Sequence, residues 1–495
     1  MGIVFRQSIK GSIAIFGGIL LGGIYIYFTA HAINKTELGG IRNLLSQAAV
    51  IQIFFLAGAA NLMNPYILQF KENDPKRQVL LTISIALPLL VALVFSGPYL
   101  VFKDLIIQKY QAKDREFVRS FYSLLLPLSV FMSYMTLFEY YLNSQLKAAI
   151  TLFLREVALR LGLLLMLSLY ALQILNLKNF VIGTVFMHAV PLGIMIYYAR
   201  KTRGFGLSTN WKVFSKKEYS QITHYAFFHL LTSGILNLMG YVDAIMLAPL
   251  SVAGLDDVAV YQNALFLISI MLAPYRAMAT AAFPKLAEAF LAGAHEHLQN
   301  LFNRSGLNML IVAVAMWLIV VCNLHNAVAL FPPGYAAMAP IVMILSIGRI
   351  IDMGTGLNTE LISVTLYYKF NFRLALVLLI SVILLDRIFI PRYGIYGAAW
   401  VATTVAAIAN LIKMVFLYKR EGLHPFSRNS MQVIAIGALS YGLSLILPRM
   451  AHPILDAIYR SGIIIIVYGT LLLVSKSSAD LQEYYQQILK NKRLF

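Results

Sequence analysis

The sequence predicts an all-α polytopic membrane protein with about fourteen transmembrane helices in two related halves. Composition speaks first: 60% of residues are hydrophobic and only 12% charged, too few charges to coat a soluble surface. Apolar runs of roughly 20 residues, the length that crosses the hydrocarbon of a bilayer, then recur along the whole chain. Finally, the hydrophobic plan returns at an offset of about 220 residues, as in a duplicated bundle. GGIRNLLSQ around Asn43 opens a run that stops at Asn64-Pro65, and VYQNALFLI around Asn263 opens one that stops at Phe283-Pro284. IMIYYARK ends near Tyr198 and KMVFLYKR near Tyr418.

In chain order the spans fall at 11–30, 43–68, 79–102, 119–142, 149–172, 179–199, 222–249, 258–283, 305–325, 337–362, 373–390, 395–418, 430–448 and 460–475. Pro88, Pro127, Pro191 and Pro274 lie inside these runs, which membrane helices tolerate where neighbours satisfy the freed backbone groups. Short alternating segments of the β-barrel kind are absent. Residues 1–32 carry Arg6 and Lys10 before an apolar stretch and end in Ala30-His31-Ala32, but the stretch is long for a signal peptide and reads as a retained first helix. Cys322, the single cysteine, has no internal disulfide partner and reads as a small buried hydrophobe. No segment outside the spans exceeds about 25 residues, so a soluble catalytic domain is absent and the chain reads as a non-enzyme. The tail places Leu481, Tyr484, Tyr485 and Ile488 at helical spacing, opened by Ser477-x-x-Asp480 and followed by Lys490, Lys492 and Arg493: a short interfacial helix.

The 40 Lys and Arg set the orientation. With the N-terminus inside, basic residues favour inner segments by about two to one, placing both termini in the cytoplasm. The largest cluster, Arg200, Lys201, Arg203, Lys212, Lys216 and Lys217, sits at the seam of the duplication. The formal charge of +19 therefore reads as topology and attraction to anionic lipid. Nucleic acid is not expected as a partner, because no polar domain carries the charge.

ILNLMGYVDAIMLAPL (235–250) followed by VAVYQNALFLISIMLAPYRAMATAAFPKLAEAF (258–290) resembles the seventh and eighth helices of polysaccharide-transporter family flippases. LLDRIFIPRYGIYGAAWVATT (384–404) resembles their eleventh-to-twelfth helix connection. These are the Wzx-type O-antigen flippases of the multidrug/oligosaccharidyl-lipid/polysaccharide exporter superfamily. The resemblance implies two six-helix lobes around a V-shaped cavity and two extra C-terminal helices. The expected divisions are 1–205 for the N-lobe, 206–221 for a basic cytoplasmic linker, 222–425 for the C-lobe, 426–476 for the last two helices and 477–495 for a cytoplasmic amphipathic tail. It further implies a bacterial inner-membrane protein that moves polyprenyl-diphosphate-linked oligosaccharide from the inner to the outer leaflet by alternating access. A polysaccharide polymerase and chain-length machinery are the expected partners beyond the lipid-linked glycan and membrane lipids.

A diphosphate crossing hydrocarbon calls for fixed cations, and guanidinium suits phosphate oxygens because its fork makes two parallel hydrogen bonds. Arg160, Arg276 and Arg349 lie inside spans and Arg42 opens the second, so these four form the expected substrate ladder. More ordinary roles are also open. Arg160 has Glu156 one turn back, Arg349 has Asp352 at i+3, Arg42 fits an interface, and Lys413 fits a side chain snorkelling to headgroups. The tenth span is unusually polar, and Arg349, Asp352, Gly356 and Thr359 fall near one stripe at helical spacing. His188 reads either as a proton relay or as a hydrogen-bonded structural group.

No Gly-x4-Gly-Lys-Ser/Thr motif is present, so no cofactor is expected and a cation gradient is the simple energy source. By resemblance to lipid-flipping relatives, Asp243, Asp386 and Thr403 are the expected coupling site for sodium or a proton. An ion pair of Asp386 with Arg387 is the plainer alternative. Three competing functions stand beside the flippase reading. A multidrug/cation antiporter would want carboxylates in its cavity, and a lipid II flippase a more basic first lobe. A membrane polymerase or ligase would want long outer loops.

Overall fold

Polar side-chain caps start several of the helices. The computed structural model describes residues 3–63, 66–364 and 367–492, which contain helices and no strand. Contacts divide the chain into two units, Met1–Ala259 and Val260–Phe495.

The first unit opens with α1 (Ile3–Ala32) and α2 (Lys35–Leu56). The Asn34 side chain accepts the Glu37 N–H at 2.9 Å, so α2 starts well before the expected position 43 and Arg42 sits in its third turn rather than opening it. α2 ends at Ala57, left-handed at φ 45°; the Asn64-Pro65 stop lies outside the described residues. Asp74 caps α3 (Pro75–Val101), with proline at the first position, where its missing N–H costs nothing. The short α4 (Lys103–Ile107) and α5 (Arg115–Phe121) lead into α6 (Leu125–Ser144). The fifth span is broken into α7 (Ala148–Phe153), a π turn over Leu154–Ala158 and α8 (Leu159–Ala171). The sixth is α9 (Leu177–Phe186) with α10 (Ala189–Arg200), and the seventh α11 (Lys216–Met239) with α12 (Val242–Leu250). A capping box between Ser215 and Glu218 starts α11. The core gathers Leu80, Phe138, Tyr141 and Met195. Nearer the other end, the Tyr99 and Tyr122 rings stack at 4.2 Å and each hydroxyl donates to the other residue's carbonyl.

α13 (Leu255–Leu291) begins in the first unit. The Thr36 hydroxyl of α2 donates to Asp256 at 2.5 Å, and these residues are 220 apart. A Cβ on Gly39 would fall 1.8 Å from the Leu255 carbonyl oxygen and 3.3 Å from the Ala259 nitrogen, again 220 positions on. The Thr36–Asp256 and Gly39–Ala259 approaches both fall at the 220-residue offset read in the sequence. Lys113 joins Asp256 at 2.9 Å, and Asp114 accepts the Leu255 N–H at 3.0 Å.

The second unit continues with α14 (His295–Cys322), α15 (Leu324–Ala329), α16 (Met338–Gly354) and α17 (Asn358–Val364). The expected continuous tenth helix is therefore broken at 355–357, where Gly356 adopts a left-handed φ of 73°. α18 (Tyr368–Glu421) holds the eleventh and twelfth spans end to end, bent at Gly394 (φ 55°, ψ −136°), a conformation that excludes other residues. α19 (Arg428–Ile446) and α20 (Pro453–Val474) are the last two spans, α20 starting earlier than the expected position 460. In α21 (Ala479–Lys492), Ser478 rather than Ser477 accepts the Leu481 N–H. The side chains of Tyr484, Ile488, Lys490, Lys492 and Arg493 lie outside the described residues. Phe302, Met309, Leu361 and Leu417 form one core cluster, and Val314, Val433, Ile464 and Tyr468 another.

Ten helical stretches among the described residues are long and apolar enough to span a bilayer, and one of them, Lys369–Glu421, is two helices in tandem. The sixth, seventh and tenth spans are each made of two helices, and the fifth carries a π turn. Outward-facing Leu93 and Val94 are 63% and 77% exposed, as lipid-facing residues must be. The protein is an all-α, multi-pass membrane protein.

Two outcomes follow from these contacts. A Thr36→Cys/Asp256→Cys pair should cross-link readily, and adding Gly39→Val should abolish most of that cross-link by forcing α2 off the α13 backbone, read on a reducing versus non-reducing gel. The second concerns Lys76 and Glu218, which join the starts of α3 and α11 at 2.5 Å. The Lys76 hydrogen bond above all, then the Ser215 backbone, holds the Glu218 carboxyl at about 2 against an ordinary 4.5. A depressed carboxylate stabilises the fold above its ordinary range, and that contribution disappears as pH falls from about 4.5 to about 2. Lys76→Met should therefore flatten the loss of thermal stability across that window, measured by unfolding in detergent.

Candidate functional site

The break between α16 and α17 frees backbone carbonyls inside a span, and polar side chains gather around it. Arg349 on α16 approaches Asp352 one turn on at 3.7 Å, an electrostatic pair too long for a hydrogen bond. The other Asp352 oxygen accepts from Asn410 of α18 at 3.0 Å. Thr355 donates to the Asn410 carbonyl oxygen at 3.3 Å, and Tyr275 to the Gly356 carbonyl at 3.4 Å. Lys413, one turn beyond Asn410, donates to Thr359 at 2.9 Å, and Asn371 donates to the Thr359 carbonyl at 3.0 Å. Glu360 feels the charges of both Asp352 and Lys413. Asn358 is buried with neither amide atom bonded to protein, a costly arrangement that marks a site for water or a ligand.

Two cations and two carboxylates thus share this cluster, with six amide and hydroxyl side chains among them. Such a set can hold a polar group in hydrocarbon and move charge by re-pairing. Arg349, Asp352, Gly356 and Thr359 were expected on one continuous helical stripe. The left-handed Gly356 interrupts it. Lys413, expected to snorkel, is hydrogen-bonded into the cluster, and Asn410 was missed. The signal for Asn410 was its i,i+3 spacing to Lys413 within an apolar run.

In the first unit, Arg160 lies just after the π turn. One of its nitrogens meets Glu156 at 2.9 Å and another donates to the Gly18 carbonyl of α1. The i,i+4 pair weighed from sequence is present. Across the π turn, Arg155 meets Glu139 at 2.7 Å; π turns of this kind recur at functional sites. Arg42 is half-buried in α2. In the second unit, Arg276 is exposed on α13, two residues past Pro274. The four ladder residues thus divide two and two between the units, and no contact joins Arg276 to Arg349 among the described hydrogen bonds and ion pairs.

Of the expected cation ligands, Asp243 lies half-buried in the first unit, whereas Asp386 and Thr403 lie buried in the second. Thr403 donates to the Ile344 carbonyl at 3.0 Å. Asp386 is wholly buried while Arg387 is exposed. Among the described residues no three His, Cys, Asp or Glu side chains converge as a metal site. His188 approaches the Thr184 carbonyl of its own helix turn at 3.0 Å.

Two buried guanidiniums went unnoticed in the sequence. Arg460, inside α20, meets Asp456 at 3.2 Å and donates to the Ser444, Leu447 and Pro448 carbonyls at the end of α19. Arg77, in the first turn of α3, is 4% exposed, and its Nε and one terminal nitrogen have no protein acceptor.

No family model matches the chain, and no curated protein matches its sequence. Solved structures do. A lipid II flippase, MurJ, in an inward closed conformation superposes with a TM-score of 0.73 at 15% identity, covering 94% of this chain and 99% of that one. An inward-facing multidrug resistance MATE family transporter of the MOP superfamily gives 0.61 at 12% identity over 85% and 94%. A MATE structure in complex with MaL6 gives 0.58 at 13% identity over 85% and 97%. The fold is that of MurJ and the MATE transporters.

Asn410→Leu should leave the Asp352 carboxylate without its amide donor inside the membrane. A loss of about 1–3 kcal/mol in stability is expected, read as a lowered Tm in detergent.

Proposed function

We propose that this chain is an alternating-access flippase that moves polyprenyl-diphosphate-linked oligosaccharide from the inner to the outer leaflet of the bacterial inner membrane for surface polysaccharide assembly. The observation that carries the reading is the superposition, near full length in both chains, on a lipid II flippase. Chemistry supports it: a diphosphate headgroup cannot cross hydrocarbon without fixed cations, and guanidiniums stand within the spans of both units. Arg42, Arg160, Arg276 and Arg349 are the proposed headgroup contacts, received in turn as the path opens on each side. Arg160 and Arg349 would exchange a carboxylate neighbour for phosphate, so neither charge is left bare in the empty state. With both termini cytoplasmic, the Thr36–Asp256 contact would lie toward the outer side. Coupling is assigned to sodium or a proton at Asp243, Asp386 and Thr403. A polymerase and chain-length machinery would take the product.

Two further readings have support of their own. The carboxylates Asp352, beside Arg349, and Glu360, near Asp352 and Lys413, favour a multidrug/cation antiporter, which needs negative charge to hold its cargo. The superposition on MurJ favours lipid II as the cargo. Reconstituted vesicles distinguish them by which of three cargoes crosses: lipid-linked oligosaccharide, lipid II or a cationic dye.

Arg276→Ala and Arg349→Ala should each abolish glycan export while leaving protein abundance in the membrane unchanged. Normal export in both would remove the cation ladder. Asp243→Asn should erase the dependence of flipping on a sodium or proton gradient in vesicles, and an unaltered dependence would exclude that site.

A further inference from the structure

A cavity of 420 Å3 opens near the turn that joins α13 to α14, entirely within the second unit. One wall is an apolar stripe on α13: Met278, Ala282 and Leu286, at i, i+4 and i+8, share one helix face. The rim is different. Lys285 and Arg304 bring an ammonium and a guanidinium to it, and Asn308 adds an amide. The last group at the rim is Asp480, from the first turn of α21, which pairs with Arg304 and accepts from Asn308 at 2.6 Å. Ser478 binds the same amide from its other side, donating to the Asn308 carbonyl oxygen at 3.2 Å.

This arrangement has the form of an amphiphile site. Fixed donors and two positive charges sit at one end, and a strip of methyl and methylene groups leads away from them. The volume lies in the range of ligand pockets, about 300–1,000 Å3, and exceeds what a lone phosphate ion fills. Asp480 presents acceptor oxygens and a negative charge to the donors a phosphate would use. The Arg304 and Asp480 side chains are 55% and 37% exposed, so their pair is solvent-screened and open to exchange. We propose that this cavity binds the phosphate headgroup of an anionic membrane lipid, its acyl chain along the α13 stripe, and that the lipid displaces Asp480 and loosens α21 from α14. Lys285 and Arg304 hold the phosphate, and Asn308 changes partner from carboxylate to phosphate oxygen. Tail docking then reports the anionic lipid content of the surrounding membrane. The proposal is independent of which cargo the protein carries.

The test uses the full chain in nanodiscs of phosphatidylcholine with and without phosphatidylglycerol. Native mass spectrometry should show one phosphatidylglycerol retained in preference to phosphatidylcholine. Lys285→Gln and Arg304→Lys should each lower that retention about tenfold, the loss of one charge-assisted contact, and Asp480→Asn should raise it. Nitroxides at Glu483→Cys and His297→Cys, in a Cys322→Ser background, should move apart when phosphatidylglycerol is added. Equal retention of the two lipids by the unsubstituted chain, retention unchanged in both cation variants, or a spin–spin distance indifferent to phosphatidylglycerol would each overturn the proposal. Inorganic phosphate is the remaining arm. If millimolar phosphate displaces the lipid as well as phosphatidylglycerol itself does, the site belongs to a soluble phosphate and the lipid assignment fails; no displacement supports it.

Discussion

A backbone carbonyl or N–H cannot be left bare in hydrocarbon, and the polar chemistry of this protein is arranged around that constraint. Unbroken helices satisfy it by themselves. Each interruption must borrow donors from side chains, and interruptions are where the buried polar residues collect. At the α16–α17 break, Tyr275 and Asn371 donate to the Gly356 and Thr359 carbonyls. At the end of α19, Arg460 spends its N–H groups on three carbonyls while Asp456 balances its charge. Arg160 reaches the Gly18 carbonyl, which a glycine leaves uncovered on α1.

The same constraint governs charge. An isolated guanidinium in a low-dielectric interior costs several kcal/mol, and an adjacent carboxylate offsets much of it. Arg155 with Glu139, Arg160 with Glu156 and Arg460 with Asp456 follow this rule at 2.7 Å, 2.9 Å and 3.2 Å. Arg349 and Asp352 obey it more loosely, at 3.7 Å, and both remain more than a third exposed. A loosely held, partly exposed pair is easier to re-partner than a buried one. That difference separates Arg460, whose bonds to α19 make it a structural strut, from Arg349.

Much of the fold was legible because helices are local objects. The Ser215-x-x-Glu218 box, Asp74 before Pro75 and the Gly394 bend between two apolar runs act within a few residues, so their effect can be read in order. The reading faltered where a local signal was ambiguous. Asn34 was passed over as a cap, which placed Arg42 at a helix start instead of in its third turn. The polar stripe of the tenth span assumed that Gly356 continues the helix, although glycine is the residue most able to leave it. Starting the last span at 460 hid the Asp456–Arg460 pair, because the carboxylate then fell in a loop.

By itself the sequence determined that this chain crosses a membrane many times and where most spans begin and end. Composition, a 3.6-residue period and a recurring offset are properties of the chain alone. Only the tertiary structure decided which charges meet. Arg160 and Gly18 are 142 residues apart, Arg304 and Asp480 are 176 apart, and Asn410 stands 58 residues beyond Asp352. Such pairs form because packed helices bring distant turns to the same depth, and no spacing along the chain encodes that. Thr36 and Asp256, in contact across 220 residues of chain, are another such pair.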